Sequence, residues 1–310
     1  MINNLKIDID MVYIYVNGND PLYIEKINFY MKNNKNNINN DVYKQRYCDV
    51  NEINYSIKSV IKYLPFIRKI FIVTDNQIPN IDKTLYDLKP IIIIDHKDII
   101  NEQYLPTFFS DVIESYIHNI PDLSEIFLYN NDDCFHFSDI NISEIIYNNS
   151  IKNINSTRDS FVFNNFSKFI KNEYIDRIVN TKNILKKKYN NKIYFIKNHC
   201  TKVFRKSTLK YIENEYPQLL QDLRINKFRN NLSINYLIFA MNIDNILNNN
   251  IIINIDNNEN DIYFFKCNRY QENTDKLSEL LQYLKPKFCC LNDIPESYKN
   301  KFIECMSLLL

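Results

Sequence analysis

The run Ile126-Phe127-Leu128-Tyr129 ends abruptly in Asn130, Asn131, Asp132 and Asp133. A short apolar, aromatic run of this kind reads as a buried strand. Two adjacent carboxylates at its end repel each other unless a cation, a turn or open water relieves them. On these residues alone two readings stand. One is a solvated turn, because Asn and Asp are good turn formers. The other is a site for a divalent ion and a diphosphate at the carboxyl edge of an α/β sheet, where ligands bind. Carboxylate oxygens are hard ligands suited to Mg²⁺ or Mn²⁺.

A second feature is Gly18, the single glycine of the 310-residue chain, in Tyr15-Val16-Asn17-Gly18-Asn19-Asp20-Pro21. Glycine allows positive φ or close backbone approach. Its placement directly after an apolar run suggests either a plain Asn-Gly turn or a loop whose amides approach a nucleotide phosphate.

These residues need elements to position them. Residues 11–16, 69–74, 91–95 and 126–130 read as buried strands. Between them, 50–65 carries apolar residues at 53, 57, 60, 61 and 64, a helical face stopped by Pro65. The stretch 106–121 repeats the pattern at 109, 112, 113, 116, 117 and 120. Strands alternating with helices predict an α/β fold with a Rossmann-like, mostly parallel sheet and flanking helices. The second half reads as mainly helical, with segments near 174–189, 206–214, 218–225, 232–241 and 276–284. The expected division is a Rossmann-like part at 1–145 and a mainly helical part at 146–310, together one compact unit. A polar stretch at 141–158 reads as the hinge.

Net charge is +1, from 38 basic and 37 acidic residues, so no global field favours nucleic acid or a membrane surface. No apolar run approaches a membrane span. The Asn, Ile and Lys bias follows AT-rich codons, and the Asn-rich tracts at 31–40 and 245–260 read as surface loops. Seven scattered cysteines without metal-type spacing read as reduced thiols, hence a cytoplasmic protein.

Residues 8–21, DIDMVYIYVNGNDP, resemble the opening motif of the Stealth proteins. Residues 46–79 and 104–135 are similar to that family's second region. KNHC (197–200) with KFRNN (227–231) fits the third, and KFCCLNDIPES (287–297) the fourth. The blocks occur in family order from residue 8 to the C-terminus. The resemblance implies a glycosyltransferase-like fold and a sugar-1-phosphate transferase. The donor is a nucleotide diphospho-sugar, commonly UDP-N-acetylglucosamine, the acceptor is a glycan hydroxyl, and UMP leaves. The resemblance also makes 1–145 the nucleotide-sugar-binding part and 146–310 the part that completes the active site of one catalytic unit.

Onto this chain the resemblance places His199 as general base, with Asp133 and Arg229 as catalytic partners. Asp132, Asp133 and Asp293 would hold Mg²⁺ or Mn²⁺. Asn17, Gly18, Asp20, Arg46, Glu52, Asp75 and Asn292 would bind substrate, although Arg46 and Glu52 also suit a structural ion pair. Ser110, Glu114 and His118 lie at i, i+4 and i+8, so on one helix they would share a face towards the sheet edge; a polar helix stripe is the plain alternative. Several positions depart from the family pattern: Ile14, Tyr15, Asn54, Lys58, Asn76 and Cys200. Asn76 replaces a glycine and still tolerates positive φ. Two rival readings remain: an ordinary sugar-transferring glycosyltransferase, and a nucleotide-sugar-binding protein without turnover.

Overall fold

The computed structural model describes residues 7–32, 49–156, 172–190, 200–255, 262–266, 274–292 and 294–310. Strands β1 (Ile9–Ile14), β2 (Ile67–Thr74), β3 (Ile91–Asp95) and β4 (Ile126–Asn131) run parallel in the order β3-β2-β1-β4. The short strands β5 (Cys134–Phe135), β6 (Ile146–Tyr147) and β7 (Ser150–Ser156) follow. Strand β8 (Lys202–Arg205) then adds to the far side of β4, antiparallel. Strand β9 (Ile251–Ile255) pairs with β7, and β10 (Ile262–Lys266) with β11 (Phe288–Asn292), which in turn pairs antiparallel with β5.

Helices α1 (Pro21–Lys32) and α2 (Glu52–Tyr63) connect β1 to β2. The short α3 (Thr84–Leu88), α4 (His96–Ile99), α5 (Ser110–Glu114) and α6 (Ile142–Ile145) flank β3 and β4. The second half supplies α7 (Glu173–Tyr189), α8 (Lys206–Glu215), α9 (Pro217–Arg224), α10 (Tyr236–Asn248), α11 (Thr274–Leu284) and α12 (Lys299–Leu309). Among the described residues no helix is long and apolar enough to cross a membrane.

Period-two alternation divides the sheet between two cores. Met11, Tyr13, Ile70, Ile72 and Leu128 meet Ile53, Ile57 and Val60 of α2 on one face. Val12, Phe71, Val73, Phe127 and Tyr129 meet Val112, Ile178, Ile212 and Phe239 on the other. Covering both faces is what a parallel sheet requires, and it explains the unbroken apolar runs in the sequence.

Three expectations change. The stretch 106–121 buries the anticipated residues, but the helix stops at Glu114 and resumes as a 3₁₀ turn, Ile117–Asn119. Ser115 is the cause. Its hydroxyl bonds back to the Val112 carbonyl at 2.7 Å, its own carbonyl accepts from Arg224 at 2.9 Å, and the Asn119 amide turns to Tyr116. The expected hinge at 141–158 holds α6, β6 and β7, with Ile145, Ile146 and Ile151 in the core. Within 245–260, read as surface loop, α10 continues to Asn248 and 251–255 is a strand beside β7.

Ile57 is fully buried between α2 and the sheet. Ile57→Ala should therefore lower unfolding free energy by about 2–5 kcal/mol in urea titration. Leu232→Ala, at a side chain 80% exposed, should change it by less than about 0.5 kcal/mol. Equal effects would contradict this division of the core.

Candidate active site

The strand order reverses at β1, whose neighbours are β2 on one side and β4 on the other. In open α/β sheets the crevice beyond the strand ends at such a point receives ligands. Tyr13 pairs with Asn130 and Ile14 with Asn131, so the loop after β1 lies beside the Asp132–Asp133 turn.

The loop after β1 is clamped rather than free. Gln77 accepts from the Asn17 amide (2.9 Å) and donates to the Asn17 carbonyl (2.9 Å) and Asp20 Oδ2 (3.0 Å). Asp20 Oδ1 accepts from the Leu22 amide at the start of α1. Lys26 of α1 reaches Asp75 at 2.9 Å. Asn76 takes φ 54°, as its place in a former glycine turn requires, whereas Gly18 does not use positive φ. The expected glycine-only backbone is thus not met at Gly18, and its distinction is the missing side chain.

Asp132 and Asp133 do form a turn, between β4 and β5, and this turn gathers other acids. Alternation along β4 sends Asp132 towards α2, where Glu52 occupies the first position of the helix. Burial pushes the Asp132 carboxyl up to about 8, with the charges of Asp133 and Asp49 adding to it. Glu52 is raised well above the usual carboxylate range by burial and by Asp132 and Asp49. Glu52 also accepts the Val50 amide at 2.8 Å. Tyr15 donates to Asp49 at 2.7 Å, a bond that the family's tryptophan would not make this way. Among the described residues, the possible ligand atoms that lie within 4.8 Å of one another belong to Asp133, Cys134 and Cys290; the carboxylates of Asp132 and Asp133 supply the hard oxygens that Mg²⁺ or Mn²⁺ would take, and the thiols do not.

Asp133 is held from the C-terminal part of the chain. Cys134 pairs with Cys290 across β5 and β11, and the Leu291 amide bonds the Asp133 carbonyl at 3.0 Å. Asp133 Oδ2 then accepts from Cys290 Sγ (3.3 Å) and Asn292 Nδ2 (3.4 Å). Asn292, expected to touch substrate, therefore contacts the central acid. The sequence signals the two thiols only through Cys134's place in the second-region block and Cys290's in the fourth. His136 was missed. It is buried and held neutral, with its pKa lowered to about 4 by burial, and ties Lys287 O (2.6 Å) to Thr201 (3.3 Å). None of the five described cysteines, Cys134, Cys200, Cys289, Cys290 and Cys305, is in a disulfide.

On the opposite face Glu114 accepts from the Tyr129 hydroxyl at 2.9 Å, and burial with the Asp111 charge raises its pKa to about 8. Arg177 binds Asp111, whose other oxygen accepts the Tyr236 amide at 2.6 Å. Ser110 opens α5 without a hydrogen bond among the described residues. His118 does not share their face. The broken helix places it beside Glu213, at 3.8 Å, with burial lowering its pKa to about 4. Phe228 stacks on Phe108 with centroids 5.1 Å apart and so fixes its neighbour Arg229, which is half-exposed and unpaired among the described residues. Asn54 and Lys58, which replace family arginines, both face Asp82, so they steady that loop. Arg46, His199 and Asp293 lie outside the described residues.

A divalent ion at Asp132 must displace the proton held there, so affinity should rise with pH and level off above about 8. Calorimetric titration with Mn²⁺ at several pH values checks this. Affinity independent of pH would remove Asp132 from the ligand set.

A model of Stealth protein conserved region 2 matches residues 46–154. A capsular polysaccharide phosphotransferase of Actinobacillus suis is 35% identical over 244 residues, covering 76% of this chain and 63% of that protein. The capsular polysaccharide phosphotransferase fcs1 of Haemophilus influenzae is 47% identical over 133 residues, 43% of this chain and 36% of that protein. The chain thus spans less than two thirds of the length of these relatives. The bifunctional glycosyltransferase WbbM superposes with a TM-score of 0.51 at 12% identity, covering 99% of this chain and 51% of that one, a likeness of fold. With the second conserved region matched and about three quarters of its length aligned at 35% identity to a capsular polysaccharide phosphotransferase, the chain is similar to the Stealth proteins.

Proposed function

We propose that the chain is a sugar-1-phosphate transferase that moves hexose-1-phosphate from a UDP-linked donor to a glycan hydroxyl during capsule or exopolysaccharide synthesis. The observation carrying this reading is the crowding of Asp132, Asp133, Glu52 and Asp49 at the β1/β4 crevice. The names of the relatives, capsular polysaccharide phosphotransferases, support the same reaction class. Mg²⁺ or Mn²⁺ held by Asp132 and Asp133, with Asp293, next in sequence to the Asn292 that contacts Asp133, would neutralise charge on the diphosphate oxygens.

The acceptor oxygen attacks the phosphorus bearing the sugar, the bridging P–O bond breaks, and UMP departs with the electron pair. The anomeric C–O bond is untouched, so configuration is kept. His199 takes the hydroxyl proton, and Arg229 forks onto phosphate oxygens. The loop of Asn17, Gly18 and Asp20, with Asp75 across from it, borders the nucleotide. Cys290 and Asn292 hold Asp133 in one orientation. The fold likeness to a glycosyltransferase favours a second reading, transfer of the sugar alone, in which UDP would leave.

Incubation with Mg²⁺ and a panel of UDP- and GDP-sugars distinguishes these by mass spectrometry. Nucleoside monophosphate is expected; diphosphate would establish the second reading, and neither product would leave a binding protein. His199→Ala should cut kcat by about a hundred- to ten-thousand-fold while donor affinity holds, because a general base acts in the transition state. Arg229→Lys keeps the charge but loses the planar fork, so both donor affinity and rate should fall. Wild-type turnover by His199→Ala would move the catalytic centre elsewhere.

A further inference from the structure

A second cleft, of about 560 Å³, lies away from the carboxylates, between the 97–104 segment and the start of α9. Its floor is rigid. The Arg224 guanidinium sits 3.8 Å from the centre of the Tyr116 ring, donates to Ser115 Oγ (3.0 Å) and Ser115 O (2.9 Å), and grips both oxygens of Glu213. His118 lies beneath this pair, beside Glu213. The half-buried Tyr104 ring approaches Tyr116 at 6.4 Å and forms an aromatic wall.

The chemistry of the lining selects its occupant. The cations Lys97 and Arg224 are matched by the acids Asp98 and Glu213. Arg224 is committed to Glu213, and the exposed Lys97 stands 3.9 Å from Asp95 and next to Asp98, whose negative charges disfavour a phosphate there. The rim instead carries the side-chain amides of Asn101, Gln103, Asn119 and Gln221. Asn119 gives its nitrogen to Ile99 O at 3.0 Å, leaving a carbonyl acceptor. Amides offer donor and acceptor together, which suits neighbouring hydroxyls on a neutral ring, and a tyrosine face suits the ring's apolar side.

Position ties the cleft to the reaction. Helix α4 starts at the carboxyl end of β3, on the sheet edge that also carries the acids. From Gln103, five residues lead to Phe108, which stacks on Phe228 next to Arg229. At about 3.5 Å per residue, at most about 18 Å separates the cleft wall from that anchor, the reach of a short oligosaccharide.

We propose that this cleft binds a neutral, hydroxyl-rich stretch of the acceptor glycan several units from the hydroxyl that reacts. The proposal rests on the transferase reading above. Its test uses the enzyme's own product, made from whichever donor yields monophosphate and fractionated by chain length. In the wild type, acceptor KM should fall about tenfold or more from the shortest fraction to the longest. The Gln103→Ala/Gln221→Ala double variant should flatten that dependence while leaving donor KM, Tm and kcat with the shortest acceptor unchanged. Both side chains are exposed and make no side-chain hydrogen bond among the described residues, so folding is not at stake. A length dependence absent from the wild type, or undiminished in the variant, overturns the proposal. A product too short to grade is tested by amide exchange, where protection of 97–104 and 217–224 on adding it is expected and no protection overturns the proposal. Failure to release monophosphate from any donor would instead strike the transferase reading, a distinct result.

Discussion

Gathering several carboxylates at one sheet edge is the constraint on which the rest of the architecture depends. Burial and mutual repulsion both oppose ionisation of Asp132 and Glu52. A flexible segment would relieve such strain by moving apart. Here Asp132 leaves a central strand, Glu52 begins a helix whose other face is core, and Asp49 is tied to Tyr15. The partial positive charge of the α2 N-terminus offsets some of the repulsion. The fold thus keeps in place a charge distribution that its own electrostatics disfavour, a common property of sites built for charged ligands.

That constraint also gives the C-terminal part of the chain a purpose. Strand β8 shields the flank of β4, and β11 crosses to β5 to secure Asp133. His136 links both returns, bonding Lys287 just before β11 and Thr201 just before β8. Thr201 stands two residues after His199, so the same buried imidazole steadies the chain as it leaves the family's histidine block. Its neutrality follows from burial and makes it a dependable tie at physiological pH.

Much of this was legible from residue types. Apolar runs marked β1 to β4 because a sheet covered on both faces needs them, and the periodicity of 50–65 marked α2. The carboxylates stood out through their abrupt position and lie within the matched second region. What stayed hidden depends on distant partners. Lys202–Arg205 is too short and polar to announce a strand, and only pairing with β4 makes it one. Cys290 carries no sign that its thiol will meet Asp133. His118 was misplaced because helical spacing could not register that Arg224, far along the chain, would claim the Ser115 carbonyl. The positions of Arg46, His199 and Asp293 are known from sequence alone, since they lie outside the described residues.

The bond from Asn292 to Asp133 closes a sequence separation of 159 residues. Contacts of such range form slowly, since the intervening chain must be ordered before they are made. At ribosomal rates of about 5–20 residues per second, roughly 10–30 s pass between synthesis of the acid and synthesis of its support. Throughout that interval the nascent chain carries Asp133 without the strand that fixes its carboxylate. The geometry around Asp133 is therefore acquired only once β11 has been made, long after the strand that carries the acid has left the ribosome's active centre.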